Sequence, residues 1–576
     1  MVFVLLDDAR PGGAAPQLYA EPRRVIEAQL LAEVRPALDR VAEAVAAGAH
    51  AAGFIAYEAA PAFEPALAPL PSAPGVPLLW FGLFDAPTPF DLARLPDPAS
   101  AWAGAPEPMI DRARYEARLA ALAALIHAGD LYQGNLTYQA RVPVAGDLFE
   151  LYARLRAAEA GYGAFIDTGD LRIASLSPEL FVALDGDALS CRPMKGTARR
   201  LAEPLADAAA ARALAADPKQ RAENLMIVDL MRNDLARVAV PGSVKVPELF
   251  AVETYPTVHQ MTSTVTARRA PGRDWRDVLA ALFPCGSITG APKLRAIEAL
   301  AAIEGRPRGV YTGAIGHVAP SGDACFSVAI RTLVEQGGQV TLGLGSGIVA
   351  DSRAEPEWRE TRDKAAFVTA GAPRFDLIET MAFDPAHGVP LIERHLARMK
   401  ASAAALGFAF DRHAARNELQ AATFRLGGPS RVRLLLARSG AIAIETAPLP
   451  PAPAEARVAL APHPLAPADY RRAHKTSDRA AWERGRVAGA FETLYVDADG
   501  RLAEGSFTSV FVSRGELLLT PPLPRVLPGV LRAELIASGR AREAELTPAD
   551  LADGFFIGNA LRGLIPARLL EGTGAL

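Results

Sequence analysis

The chain has 576 residues, half of them apolar, with 61 basic and 65 acidic side chains and a net charge of −4. That length predicts two to four structural units at roughly 150 residues each, and the apolar share is ample for sizeable cores. No basic stripe or polyacidic tail occurs, which argues against nucleic acid and anionic membranes and points to a small-molecule partner.

In chain order, Val2-Phe3-Val4-Leu5-Leu6 reads as a first strand followed by the turn at Asp7-Asp8, and not as a signal peptide, because acids fall where a positive flank belongs. Ala52 to Tyr57 reads as a second buried strand. Arg112 to His127 has helical spacing and stops at Gly129. The Ala-rich stretch 201–217 is compatible with a helix or a solvated loop, and Asn224 to Leu235 reads as a helix. Pro292 to Ala302 reads as another, with Pro292 near its first turn. Thr341 to Val349 alternates Gly with apolar residues, as a strand does where a ligand or another backbone approaches closely.

Thr369-Ala370-Gly371-Ala372-Pro373 marks a domain boundary. The expected division is 1–370 and 374–576. After the boundary come a strand from Phe375 to Met381, a helix from Leu391 to Leu406 and strands at 431–436 and 441–446. The Pro-rich run 448–453 reads as a linker between two lobes, about 374–450 and 455–576. No repeat relates the halves. No apolar run reaches the roughly 18 residues of a membrane helix, so the expected location is the cytoplasm. Cys191, Cys285 and Cys325 are scattered without a CxxC pair, which supports neither a disulfide framework nor a zinc site.

Only seven of the basic residues are lysines: Lys195, Lys219, Lys245, Lys293, Lys364, Lys400 and Lys475. Arginine stays protonated, whereas lysine can be deprotonated to act as a nucleophile or Schiff base. A lysine in a chain that prefers arginine is therefore a functional candidate, against the plainer reading of a surface survivor. Glu357 and Glu360, three apart, share a helical face, and Glu223 lies at the start of another helix. Carboxylates from two distant helices can share Mg²⁺ with waters and a ligand oxygen. On spacing alone, acids complementing a helix dipole are the commoner case.

Four words occur in order: Pro193-Met194-Lys195-Gly196-Thr197, Asp229-Leu230-Met231-Arg232-Asn233-Asp234-Leu235, Ser287-Ile288-Thr289-Gly290-Ala291-Pro292-Lys293 and Gly345-Ser346-Gly347-Ile348-Val349. Together residues 1–370 resemble the chorismate-utilising family, which includes anthranilate, isochorismate and salicylate synthases and aminodeoxychorismate synthase component I. The resemblance implies an α/β fold of two facing sheets with the site between them. It implies that Glu223 and Glu360 bind Mg²⁺ with help from Glu357. It implies substrate contacts from Tyr311, Arg331 and Lys364 and from the motif residues Asn135, Thr197, Ser287, Gly290, Gly345 and Gly347. It also places His259 near a leaving hydroxyl. Relatives that add water carry a lysine where this chain has Gln133, and relatives that aminate at C2 usually carry alanine where it has Lys195. The resemblance thus implies that Lys195 attacks C2 of chorismate and that ammonia then enters at C4. The sequence has no Gly-x-Cys-x-Gly-x-Gln nucleophile elbow, so a separate glutamine amidotransferase subunit is the expected ammonia source.

In the second half, Lys475 and Glu504 would supply the Schiff-base lysine and pyridinium partner that pyridoxal phosphate chemistry needs. With Arg398, Leu527-Pro528-Gly529-Val530-Leu531-Arg532 and Gly558-Asn559-Ala560, residues 374–576 resemble the fold-type IV pyridoxal-phosphate enzymes, which are usually dimers. The resemblance places Arg398, Val530, Leu531 and Asn559 at the phosphate. Leu531 stands where a Thr is frequent and Ser509 where Asn is common, and the usual first strand pair is missing. The fusion implies removal of pyruvate from the product of the first half, giving 4-aminobenzoate. The alternatives are an anthranilate synthase component I fused to an aminotransferase, against which Lys195 argues, and a catalytically degenerate scaffold.

Overall fold

The computed structural model describes residues 2–10, 12–156, 161–255 and 258–570. The chain divides into two compact units. One comprises Met1–Pro98, Ala105–Val142 and Tyr152–Gly371; the other comprises Ala372–Leu576 together with Ala99–Gly104 and Pro143–Leu151.

The first unit holds two ten-stranded sheets of antiparallel pairs. Their inner faces share an apolar cluster that includes Val4, Ile166 and Ile173 from one sheet and Phe54, Trp80 and Ile315 from the other. Helices cover the outer face of the second sheet. Leu31–Ala46 buries Val34, Ala37, Leu38, Val41 and Val45, the stripe that 3.6-residue periodicity places on one side. Trp275–Leu282 starts at a capping box formed by Asp274 and Asp277. Both pack into the same core as Ile227, Val228, Met231 and Leu235.

The strands and helices that carry the first site cluster at one end of these sheets. Gln133–Val142 pairs with Gln339–Ile348, setting Gly347 opposite Asn135 and Gly345 opposite Thr137. Met194–Arg199 is an edge strand of the other sheet and pairs with Val258–Arg268. The Ala-rich stretch contains a helix, Pro204–Ala216, that starts at a Glu203 cap. The next helix, Pro218–Ala236, is longer than its apolar periodicity suggested, because the Asp217 side chain accepts from Gln220 N and Pro218 occupies the first turn. Glu223 therefore sits in its second turn and does not open it.

In the second unit, strands Leu377–Phe383, Ser430–Leu436 and Ile442–Pro448 form a small sheet. Helix Ile392–Ala405 buries His395, Leu396, Met399, Ser402 and Ala403. Residues 449–455 have no regular structure, and an eight-stranded mixed sheet follows. In it, Ala456–Pro462 runs parallel to Glu492–Val496. A ribbon of Trp102–Ala103 with Val144–Ala145 belongs to this unit. Trp102 is fully buried among Leu377, Met381, Leu396, Met399 and Tyr470. Among the described residues, no helix is long and apolar enough to cross a membrane.

Candidate active sites

Lys195, Gln133 and Gly347 come together in the first unit. A Cβ on Gly347 would stand 2.7 Å from Gln133 Nε2 and 2.9 Å from Lys195 Nζ. Gln133 is buried, and its Oε1 has no hydrogen-bond partner. The strand Gln339–Ile348 thus offers a side-chain-free wall here, and Tyr311 closes it further along. A Cβ on Gly343 would strike the Tyr311 ring at 2.0 Å, and one on Gly345 would lie 3.2 Å from its hydroxyl. Burial pushes the Tyr311 phenol above its ordinary range, so it stays a neutral donor.

Burial lowers the Lys195 pKa, and the Lys364 ammonium lowers it further, against the pull of Glu223, Glu360 and Glu179. The free amine that nucleophilic attack requires is thereby favoured. Lys364 Nζ lies 2.7 Å from Glu360 Oε1 and donates to Gly345 O at 3.1 Å. Burial raises the Glu223 carboxyl, while Lys364 holds Glu360 down against its own desolvation. Glu357 accepts from Ser352 Oγ at 2.8 Å on one oxygen and leaves the other, Oε2, buried without a partner. Among the described residues, no three carboxylates, histidines or thiols stand close enough to hold a metal on their own. Mg²⁺ keeps several waters and borrows ligand oxygens, so it takes one or two carboxylates without a cage. The orphaned Glu357 oxygen and the acids around Lys195 fit that donor set.

Sequence reasoning missed Glu179. It is 3% exposed, and burial lifts its carboxyl to about 7, opposed by a Ser287 hydrogen bond and by Lys195. Ser287 Oγ also lies 3.3 Å from Cys285 Sγ. The signal was available as a lone acid inside the apolar run Leu176-Ser177-Pro178-Glu179-Leu180-Phe181-Val182. A second missed group is Arg308, buried and paired with Glu304, which donates to Ile288 O at 3.0 Å and Asn135 O at 2.9 Å. It ties the Ser287 turn to the Gln133 strand.

The remaining expected residues have these contacts within the protein. Gly290, at φ +156°, lets its strand approach Gln133 O, which a Cβ would meet at 2.3 Å. Asn135 N donates to Thr289 O at 2.8 Å. Thr197 gives its hydroxyl to Gln260 Oε1 at 2.9 Å. Arg331 sits in a φ +49° turn, and its carbonyl accepts from Leu176 N. His259 is buried, with Nδ1 3.0 Å from Thr254 Oγ1 and Nε2 3.0 Å from Asp207 Oδ1, so both ring nitrogens have protein partners.

In the second unit, Lys475 Nζ donates to Thr380 Oγ1 at 3.3 Å. Burial lowers Lys475 to about 7, with Arg398 adding to the shift and Glu379 opposing it. Arg398 spends Nε and Nη2 on Glu379, at 2.8 and 2.6 Å, and Nη1 on Pro528 O at 3.1 Å. That places it at the turn leading into helix Val530–Ala537, whose cap is Gly529. A Cβ on Gly529 would stand 2.8 Å from Ser509 Oγ. A cation, a hydroxyl and a helix start are the kinds of group that could hold a phosphate. Burial lifts Glu504 to about 7, and one of its oxygens accepts from Leu527 N at 2.9 Å. Leu531 packs into the cluster of Phe511, Leu535 and Ala541. Asn559 gives its side-chain amide to Phe507 O and accepts from Leu561 N and Arg562 N, and a Cβ on the preceding Gly558 would stand 2.9 Å from Leu531 Cδ2.

Fold and sites define a two-part α/β protein with a half-buried lysine of lowered pKa in each part. Residues 91–370 match the chorismate binding enzyme family, and residues 376–570 match amino-transferase class IV. The chain therefore joins a chorismate-binding-enzyme domain to a class IV aminotransferase domain. It is 46% identical over 278 residues to aminodeoxychorismate synthase component 1 of Salmonella typhimurium, covering 48% of this chain and 59% of that protein. It is 42% identical over 264 residues to anthranilate synthase component 1 of Streptomyces coelicolor, covering 45% of this chain and 52% of that protein. The chain thus spans little more than half the length of the curated relatives it matches. The crystal structure of anthranilate synthase component I from Streptococcus pneumoniae superposes with a TM-score of 0.55 at 26% identity, covering 64% of this chain and 92% of that one.

Proposed function

We propose that the chain makes 4-aminobenzoate from chorismate in two steps, one in each domain. The observation that carries the reading is the convergence of the Lys195 amine and the Gln133 amide on the bare Gly347 backbone. A water-activating base is replaced there by a neutral amide, which suits ammonia as the final nucleophile.

In the first domain, the free Lys195 amine bonds to C2 of chorismate, both conjugated ring double bonds shift along C2–C1–C6–C5–C4, and the C4–O bond breaks. Glu179, raised to about 7, gives the departing hydroxyl its proton, and water leaves. Ammonia then bonds to C4, both double bonds return and the C2–N bond breaks, the proton shed by the new ammonium at C4 passing to the departing amine, which frees Lys195. Gln133 Oε1, buried and unpartnered, accepts a hydrogen bond from ammonia. No step is assigned to His259. Glu223, Glu357 and Glu360 would hold Mg²⁺, which when bound sets a positive charge against a substrate carboxylate. A separate glutamine amidotransferase supplies the ammonia.

In the second domain, Lys475 would carry pyridoxal phosphate, with its phosphate at Arg398, Ser509, Val530 and Leu531 and its ring nitrogen at Glu504. When bound, the cofactor supplies an electron sink for the substrate amine. Lys475, at about 7, can take the C4 ring proton at neutral pH, after which the enolpyruvyl C–O bond breaks and pyruvate leaves an aromatic ring. The domain works as a homodimer in the cytoplasm.

The test is incubation of the full chain with chorismate, Mg²⁺, pyridoxal phosphate and an ammonium salt. Release of 4-aminobenzoate and pyruvate, lost in Lys195→Ala and replaced by accumulating aminodeoxychorismate in Lys475→Ala, is expected. Anthranilate as the product would overturn the reading.

A further inference from the structure

The edge strand that carries Lys195 is not regular. Met194 stands opposite Thr262 and Thr197 opposite Gln260, so Lys195 and Gly196 together face Met261 alone. Such a bulge adds a residue to one strand and re-aims the side chain at it. Gly196 has φ +87°, where L-residues are rare. A Cβ there would lie 3.0 Å from Gln220 Oε1 and 3.3 Å from Leu214 Cδ1. One side chain spans the irregular stretch. Gln260 Nε2 donates to Gly196 O at 2.8 Å, and Gln260 Oε1 accepts from Thr197 Oγ1 at 2.9 Å. A flipped amide would set oxygen against the Gly196 carbonyl, so this orientation is the consistent one. Gln260 is 7% exposed, whereas Thr197 lies on the solvent side of the strand and Gly196 is half-buried, so the buried amide is the group that loses most if the bonds break.

We propose that Gln260 is a positioning residue for the amination step: it locks the bulge that presents the Lys195 amine to C2. The proposal rests on the reading of Lys195 as the nucleophile. Its physical content is register. A bulge that slides by one residue turns its side chains to the opposite face, which would withdraw Lys195 from Gln133 and Gly347. Gln260 ties the two residues after Lys195 to the neighbouring strand by side-chain bonds as well as by the ladder, so the slide breaks two part-buried hydrogen bonds and strands a buried amide.

Gln260→Leu removes both bonds at similar volume, Gln260→Glu keeps only the acceptor, and Thr197→Val leaves only the Gly196 bond. Amination by the full chain is measured across pH at constant free ammonia, with the thermal transition of the first unit as the control for its folding and lyase turnover of supplied aminodeoxychorismate as the control for the second unit. Gln260→Leu is expected to lower kcat about 10–100-fold, as displacements near 1 Å do, with KM for chorismate nearly unchanged. The pH of half-maximal amination should also move up as the displaced amine regains solvent. Thr197→Val should show a smaller shift of the same sign, and it carries the test if Gln260→Leu does not fold. A wild-type kcat and pH profile in the folded variants, with Lys195→Ala inactive, overturns the clamp and leaves the nucleophile standing. Full amination by Lys195→Ala would instead remove the reading beneath it.

Discussion

Lys195 and Gln133 meet over a glycine: the lysine nitrogen and the amide nitrogen lie 2.9 and 2.7 Å from the point where a Gly347 Cβ would stand. They come from opposite sheets of the first unit, Lys195 from an edge strand of one and Gln133 from a strand near the edge of the other. The site is therefore made by two sheets approaching each other with no side chain between.

Gly347→Ala tests that approach. The neighbours a methyl would strike are the far ends of two flexible side chains, so the protein should fold with little loss of melting temperature. The same methyl stands where the reacting atoms converge. Amination should fall about 100-fold, the scale of a displacement near 1 Å, while lyase turnover of supplied aminodeoxychorismate stays at the wild-type level. Unchanged amination kinetics would show that the glycine is not part of the reacting surface.

Glu179 predicts the shape of the pH profile. Its carboxyl is raised to about 7 by burial, and the proposed step uses the protonated form. The fraction that can give a proton is then half at about pH 7 and falls as pH rises. Amination at constant free ammonia should therefore decline on the alkaline side with a midpoint near 7. Glu179→Gln should remove that limb and lower kcat roughly 10²–10⁴-fold, as loss of a general acid does. A profile that keeps the limb in Glu179→Gln would assign it to another group.

The sequence carried the elements with strong periodicity and clear punctuation. Arg112 to His127 ends where the helix ends, because Asp111 caps it and Gly129 stops it. It also carried Lys195 and Gln133, since both sit in distinctive local words. Glu179 was one acid among 65; its apolar neighbours point to burial, but only the fold brings it to Ser287 and Lys195. The Gln260 clamp was invisible because a bulge depends on the register of two strands more than 60 residues apart in the chain, and register is not a local property. For Trp102 the failure was one of membership. An apolar side chain in a short segment says that it will be buried but not in which core, and this one joins residues that lie some 270 or more positions further on.

Lys475 gives a prediction that needs no turnover. Burial and Arg398 lower its pKa from the ordinary value of 10.5 to about 7, so half of the amine is free near neutrality. Capture of added pyridoxal phosphate by the cofactor-free chain, followed by absorbance, should rise with pH to a midpoint near 7 and then level off. An unperturbed lysine would keep rising towards pH ~10. The stability of the cofactor-free chain follows with the opposite limit. The unfolded chain binds this proton up to pH 10.5 and the folded one only to about 7, so the group adds stability as pH rises between those values. A capture rate still climbing above pH 9 would show that the amine is not desolvated.

Trp102 should be needed by the lysine-475 unit, although it lies in the first fifth of the chain. Its ring is fully buried in the core formed by Leu377, Met381, Leu396, Met399 and Leu436. The Arg438 guanidinium lies 4.8 Å from its ring centre, within range of a cation–π contact. The flanking backbone is tied in as well, because Tyr470 N donates to Ser100 O at 3.2 Å. A buried Trp→Ala change of this kind costs about 3–5 kcal/mol. The loss should fall on the unit to which Trp102 belongs. In Trp102→Ala, pyridoxal phosphate binding and lyase turnover should weaken and the corresponding thermal transition should drop, while amination of chorismate is retained. Trp102→Phe should recover most of the loss. For the same reason, residues 372–576 expressed alone should fold poorly, and cofactor binding with wild-type affinity by that fragment would refute the dependence.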